Sequence, residues 1–141
     1  MEWEGKIWKH KTHWLVEVSS LNVMTQGKTR KEALFMIKEA IMEYIKFYFE
    51  SEMGEFSLVV QDKNSIIEIT ANNNKLLLAL SLRRQREKSG STVREASERL
   101  GSKSPNSYAQ YERGRTRISL DQYERLLYAA NPHQMPRLKV V

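Results

Sequence analysis

The 141-residue chain contains no cysteine. That excludes disulfide staples, thiolate zinc sites and cysteine nucleophiles, and it fits a reducing compartment. Long apolar runs are missing too: the first 25 residues mix Trp, Lys, His and Glu with no apolar signal-peptide core, and no window approaches the roughly 18 apolar residues of a membrane span. A soluble, cytoplasmic protein with no membrane partner is expected. The length leaves room for one ordinary domain, or for two small ones that each need help to bury an adequate core. Two small domains usually imply a homodimer or higher homo-oligomer.

The formal net charge is +6, and it is gathered rather than spread: residues 1–73 carry 9 Lys and Arg against 11 Asp and Glu, whereas residues 74–141 carry 14 against 6. The first half is at −2 and the second at +8, so the second half is the candidate polyanion-binding surface and the halves are expected to have different partners.

Residues 6–10 and 13–18 alternate apolar with polar side chains and are rich in β-branched and aromatic types, which predicts two strands joined by a hairpin at His10 to His13. A short extended piece, Val23-Met24-Thr25, precedes Gly27. Thr29-Arg30-Lys31-Glu32 then has the form of a capping box opening a long helix. Leu34, Ile37, Ile41, Tyr44, Ile45 and Tyr48 recur at helical spacing, and Gly54 stands where a helix C-terminus is wanted. Two further apolar runs, 56–60 and 66–69, flank a turn-prone Asp62-Lys63-Asn64-Ser65. The predicted order is βββαβ with a possible additional strand.

Composition changes at Asn72-Asn73-Asn74, which sets a domain boundary between 1–72 and 73–131, with 132–141 as a tail that is either disordered or an added strand. Beyond it, Thr92-x-x-Glu95 and Ser119-x-x-Gln122 are capping boxes, and Ser104-Pro105 reads as an N-cap followed by proline. Four helices are predicted, near 75–88, 93–100, 105–112 and 120–129. The fold class is α+β: a sheet-and-helix unit followed by an all-α unit.

A short turn between two helices sets the second protruding toward a major groove, and a small residue, Ser97, stands four before Gly101 where close crossing wants one. The opening of the second helix displays Ser104, Asn106, Ser107 and Gln110, whose amides and hydroxyls suit base edges. Lys103, Arg113, Arg115 and Arg117 flank it and suit phosphates. Tyr108 and Tyr111 are expected to hold the helix to its bundle. The competing account is a basic bundle serving only dimerisation or protein binding.

Three stretches carry a resemblance: Arg86-Glu87-Lys88-Ser89-Gly90-Ser91-Thr92, Arg99-Leu100-Gly101 and Tyr111-Glu112-Arg113-Gly114-Arg115. They resemble the Xre/Cro-type helix-turn-helix over about 55 residues. The turn holds one residue more than usual, and the customary small alanine of the second helix is Ser97. The resemblance implies operator DNA as a partner, and a dimer predicts half-sites about 34 Å apart or multiples of that.

In the first half, His13-Trp14-Leu15-Val16-Glu17-Val18, then Thr25 to Leu34 with its Gly-x-Thr-x-x-Glu-Ala cap, then Ile37-Lys38-Glu39-Ala40-Ile41 resemble the HicB antitoxin family over residues 5 to about 70. Ser19-Ser20-Leu21-Asn22 replaces the Pro and the Gly or Cys that often lie between its second and third strands. The resemblance implies a partial ribonuclease-H-like domain that sequesters a HicA-type mRNA-cleaving toxin, while the second domain represses the operon.

Two other chemistries have candidate residues. Glu17, Asp62 and Glu68 offer oxygen ligands for a nuclease-type Mg²⁺, but strand carboxylates at polar alternating positions more often face water. His10-x-x-His13 has no third ligand nearby and straddles a predicted turn. A non-enzymatic protein without metal or cofactor is expected. Trp14 reads as core and Trp3 as an interface residue. A stand-alone regulator that uses its first domain for dimerisation or ligand sensing is the alternative to the antitoxin.

Overall fold

A computed structural model describes residues 1–134; the part of the expected tail from 135 onward lies outside the described residues. Strands β1 (Trp3–His10), β2 (His13–Val18) and β3 (Val23–Gly27) precede helix α1 (Arg30–Met53), and β4 (Leu58–Lys63) and β5 (Ile66–Ala71) follow it. Helices α2 (Asn74–Ser89), α3 (Val93–Arg99), α4 (Asn106–Ala109) and α5 (Leu120–Ala130) complete the described chain. The architecture is mixed, as expected, with the sheet first and a helical region after it.

The five strands form one sheet in the order β3-β2-β1-β5-β4, and every neighbouring pair is antiparallel. Pairing of His10 with His13 closes the predicted hairpin, with Lys11 at φ +55 in its turn. Along β1 the alternation is strict: Trp3, Gly5 and Ile7 are buried under the helices, while Glu4, Lys6 and Trp8 lie on the other face.

Gly27 explains how β3 can run straight into α1. A Cβ there would stand 2.5 Å from the Ala33 amide nitrogen, so no other residue fits beneath the first helical turn. Thr29 caps the helix by accepting from the Glu32 amide at 3.1 Å, but the Glu32 carboxylate takes the Lys28 amide at 3.4 Å. The reciprocal half of the expected box is therefore displaced by one residue.

Along α1 the buried residues are Ala33, Ile37, Ile41, Ile45 and Phe49, spaced by four. A spacing of four overshoots the 3.6-residue turn by about 40° per step, so the buried stripe winds around the helix. It begins over the sheet and ends against the helical region, where Phe49 leaves helical geometry at φ −132, ψ 32. Leu34, Tyr44 and Tyr48, expected in the stripe, flank it half-buried.

Helix α2 is the centre of the molecule. All residues from Leu76 to Leu82 are buried, which covers its whole circumference. Each of its five buried leucines contributes roughly 1.5–3 kcal/mol, and the same apolar cluster continues into the sheet, α1, α3 and α5. Polar ties cross the same seam: Arg84 donates to the Asn22 carbonyl at 2.7 Å and Gln85 to the Ser19 carbonyl at 2.9 Å, while Asn131 donates to the Gln85 amide oxygen at 3.1 Å.

Trp3 departs from the sequence expectation, while Trp14 packs against the core as a half-buried ring. Trp3 is buried, edge-on to Tyr123 of α5 with ring centroids 6.4 Å apart, whereas Trp14 is half-buried with the Arg30 guanidinium 5.2 Å above its ring. The reason is that β1 begins at Trp3, several residues earlier than the alternation suggested, and so extends under the helical region.

Candidate nucleic-acid interface

Helices α3 and α4 are joined by a turn built around two serines. Ser97, fully buried on α3, donates to the Pro105 carbonyl at 2.8 Å and accepts from the Tyr108 amide at 3.1 Å. One small side chain thereby fixes both the end of the turn and the start of the second helix. Replacing it with alanine removes both bonds in a fully buried site. The expected loss is about 1–3 kcal/mol, measurable as a lower urea midpoint with an unchanged m-value.

Ser102 supplies the second tie. Its hydroxyl accepts from the Ser104 amide at 3.2 Å and is 2.6 Å from the Ser107 hydroxyl. Ser104 itself makes no side-chain cap: Pro105 is already helical at φ −58, ψ −27, and α4 begins after it. The predicted helix 105–112 is accordingly shorter, with α4 tightening into a 3₁₀ turn over Gln110–Glu112.

The residues read as base contacts lie together on this element in different states. Ser104 and Asn106 are exposed, and Ser107 and Gln110 are half-buried. The Ser107 hydroxyl is engaged with Ser102, and the Asn106 amide oxygen accepts from Arg113 at 2.9 Å. Lys103, Arg113, Arg115 and Arg117 are all exposed around it. Arg115 donates through Nε to Glu52 of α1 at 2.7 Å, and this contact, with a bond from Ser51, holds the Glu52 carboxyl below its ordinary range.

Beneath this surface the element is anchored at four points. Tyr108 is fully buried, its hydroxyl donating to the Leu82 carbonyl at 3.2 Å, and burial pushes its phenol well above the usual range. Tyr111 packs half-buried beside it against the core. Glu112 forms a two-pronged ion pair with Arg86 of α2, at 2.7 and 2.9 Å. Gly114, at φ +76, closes on α1 and α2: a Cβ there would meet Leu76 Cδ2 at 2.8 Å and Phe49 Cδ1 at 3.1 Å. Local pattern carries no sign of the Ser102 tie, of the Arg86–Glu112 pair or of the Arg115–Glu52 contact, because the partners are 5 to 63 residues apart.

The carboxylates weighed as metal ligands do not converge. Glu17 and Glu68 lie on the sheet face away from the helices, opposite Lys6 and Glu4 respectively. Asp62 pairs across from the buried Ile67 on the helix-covered face and is bound by Arg30. Its bond to that guanidinium holds Asp62 below the usual carboxylate range. His10 and His13 face each other across the hairpin turn.

Two helices crossing through a tight turn, the second followed by the exposed Arg113, Arg115 and Arg117, are the arrangement of a helix-turn-helix, the reading module of DNA-binding regulators. A family model described as a helix-turn-helix domain matches residues 77–137. No curated protein and no solved structure matches the chain. Among the described residues no helix is long and apolar enough to cross a membrane.

Proposed function

We propose that the chain is the antitoxin of a type II toxin-antitoxin pair, neutralising a HicA-type mRNA-cleaving toxin and, as a homodimer, repressing its own operon. The DNA-binding half of this reading is carried by one observation: Ser97 locks α4 so that Asn106 and Gln110 stand within a rim of exposed Lys103, Arg113 and Arg117. Amides on the reading element specify and arginines around it position.

The toxin-binding half rests on the first unit. Its three-stranded meander, the glycine under the capped helix start and the helix laid across the sheet are what a partial ribonuclease-H-like HicB domain needs. The β4–β5 hairpin extends that sheet on the far side of β1. No metal or cofactor enters this reading, and the protein is not an enzyme. Its domain limits are 1–72 for toxin binding and 73–131 for DNA.

Co-expression with the neighbouring gene tests the toxin: a growth-arresting ribonuclease that the full chain silences in a stoichiometric complex supports the antitoxin, and a promoter-bound chain with no such partner makes it a stand-alone regulator. On DNA, Gln110→Ala is expected to lower discrimination between operator and random duplex by about 1–3 kcal/mol. Arg117→Gln is expected to weaken both duplexes alike and to flatten the plot of log affinity against log salt by about 0.9. Equal losses on both duplexes for Gln110→Ala would overturn that assignment.

A further inference from the structure

The net charge of −2 on residues 1–73 conceals a strong polarity. At the end of the sheet where β1 turns into β2, Lys9 and Lys11 are exposed. Gly27 pairs with Trp14, which brings Lys28 beside that hairpin, and Lys31 follows in the first turn of α1. Arg30 lies over the Trp14 ring and reaches Asp62 and the Asn64 carbonyl, which draws the β4–β5 turn and its Lys63 to the same end. Six basic side chains from separate segments meet there with three carboxylates, Glu32, Asp62 and Glu68, for a local charge of +3; the rest of residues 1–73 carries −5.

Asp62 and Glu68 are occupied by Arg30 and Lys63. Lys9, Lys11, Lys28 and Lys31 are exposed, and among the described residues none has a carboxylate within 4.0 Å. The hairpin tip is polar, since Lys9, His10, Lys11 and Thr12 are all exposed, and the one large apolar ring beside it, Trp14, is half-buried beneath Arg30. A protein-binding patch needs a desolvated core, whereas a row of free lysines suits a phosphate backbone. The N-terminal end of α1 adds its partial positive charge to this pole.

The other end of α1 carries Glu52 and its contact with Arg115. The regular part of α1, from Arg30 to the bend at Phe49, spans about 28 Å, and the stretch to Glu52 lies beyond it, a separation on the scale of the roughly 34 Å of one duplex turn. We propose that this basic pole is a second DNA-backbone contact, engaging phosphates roughly one turn beyond those met by the loop after α4. The proposal rests on the DNA-binding reading of the second half.

The test compares the full-length protein with its Lys9→Glu/Lys11→Glu/Lys28→Glu variant on promoter duplexes of about 20 and about 45 base pairs, by fluorescence anisotropy across a salt series. The parent is expected to bind the longer duplex with the steeper salt dependence. In the variant that dependence flattens by about 2–3, near 0.9 for each lost phosphate contact, with at least a tenfold loss of affinity at low salt; binding to the short duplex stays within twofold. The Lys→Gln triple variant loses correspondingly less. Equal binding of parent and variant to the long duplex overturns the proposal, as it would if the pole serves RNA or an acidic protein. Failure of the parent on both duplexes is a different pattern, which overturns the DNA-binding reading and the proposal with it.

Discussion

Replacing Arg86 by methionine is expected to destabilise the fold by about 3–5 kcal/mol, seen as a large drop in the urea midpoint. The guanidinium and the Glu112 carboxylate have side-chain exposures of only 14% and 7%, and Arg86 also donates to the Ser91 carbonyl at 3.1 Å. Removing the cation leaves Glu112 charged in a site with little water and frees the 3₁₀ turn that follows α4. The asymmetry of such pairs supplies a sharper check: Arg86→Met combined with Glu112→Leu removes both charges, and should recover most of the loss. A double variant as unstable as the single one would mean that packing, not the uncompensated carboxylate, carries the effect.

Gly114→Ala is expected to cost about 2–4 kcal/mol, combining a left-handed backbone with overpacking. At φ +76 any side chain is strained, and the new methyl would stand 2.8 Å from Leu76 Cδ2, a leucine that is fully buried and has nowhere to go. The loop must then lift away from α1, carrying Arg113, Arg115 and Arg117 with it. Operator and random duplex should therefore lose affinity together while discrimination between them changes little. Gly90, also at positive φ but with nothing within 4 Å of its would-be Cβ, provides the control: Gly90→Ala meets the backbone strain without the collision.

Local chemistry was legible in the sequence because its signals span only a few residues. The boxes at Thr92/Glu95 and Ser119/Gln122 both close as read, and the β1–β2 hairpin turns where His10 and His13 predicted. The Ser104-Pro105 cap misled because proline at a helix start is equally compatible with a residue already in helical geometry, leaving Ser102 to tie the turn. What pattern could not deliver was the company each side chain keeps over long separations. Asn106 looks free in the chain, yet Arg113 takes its oxygen; Arg115 looks like a free cation, yet α1 supplies Glu52. Trp3, before the clearest alternation, reads as an interface residue although Tyr123 lies against it. Charge totals over half the chain likewise average away a polarity that only pairing of the strands creates.

The helix α2 has a consequence for inheritance and for engineering. Its leucines belong to one apolar cluster with residues of the sheet and α1 and with residues of α3 and α5, so the limit at Asn72 to Asn74 separates two functions and not two cores. A chimera joined there would exchange one half of a shared core for a stranger's. Under the proposed reading, transplanting a new operator preference means changing Asn106 and Gln110 in place, on a scaffold kept whole.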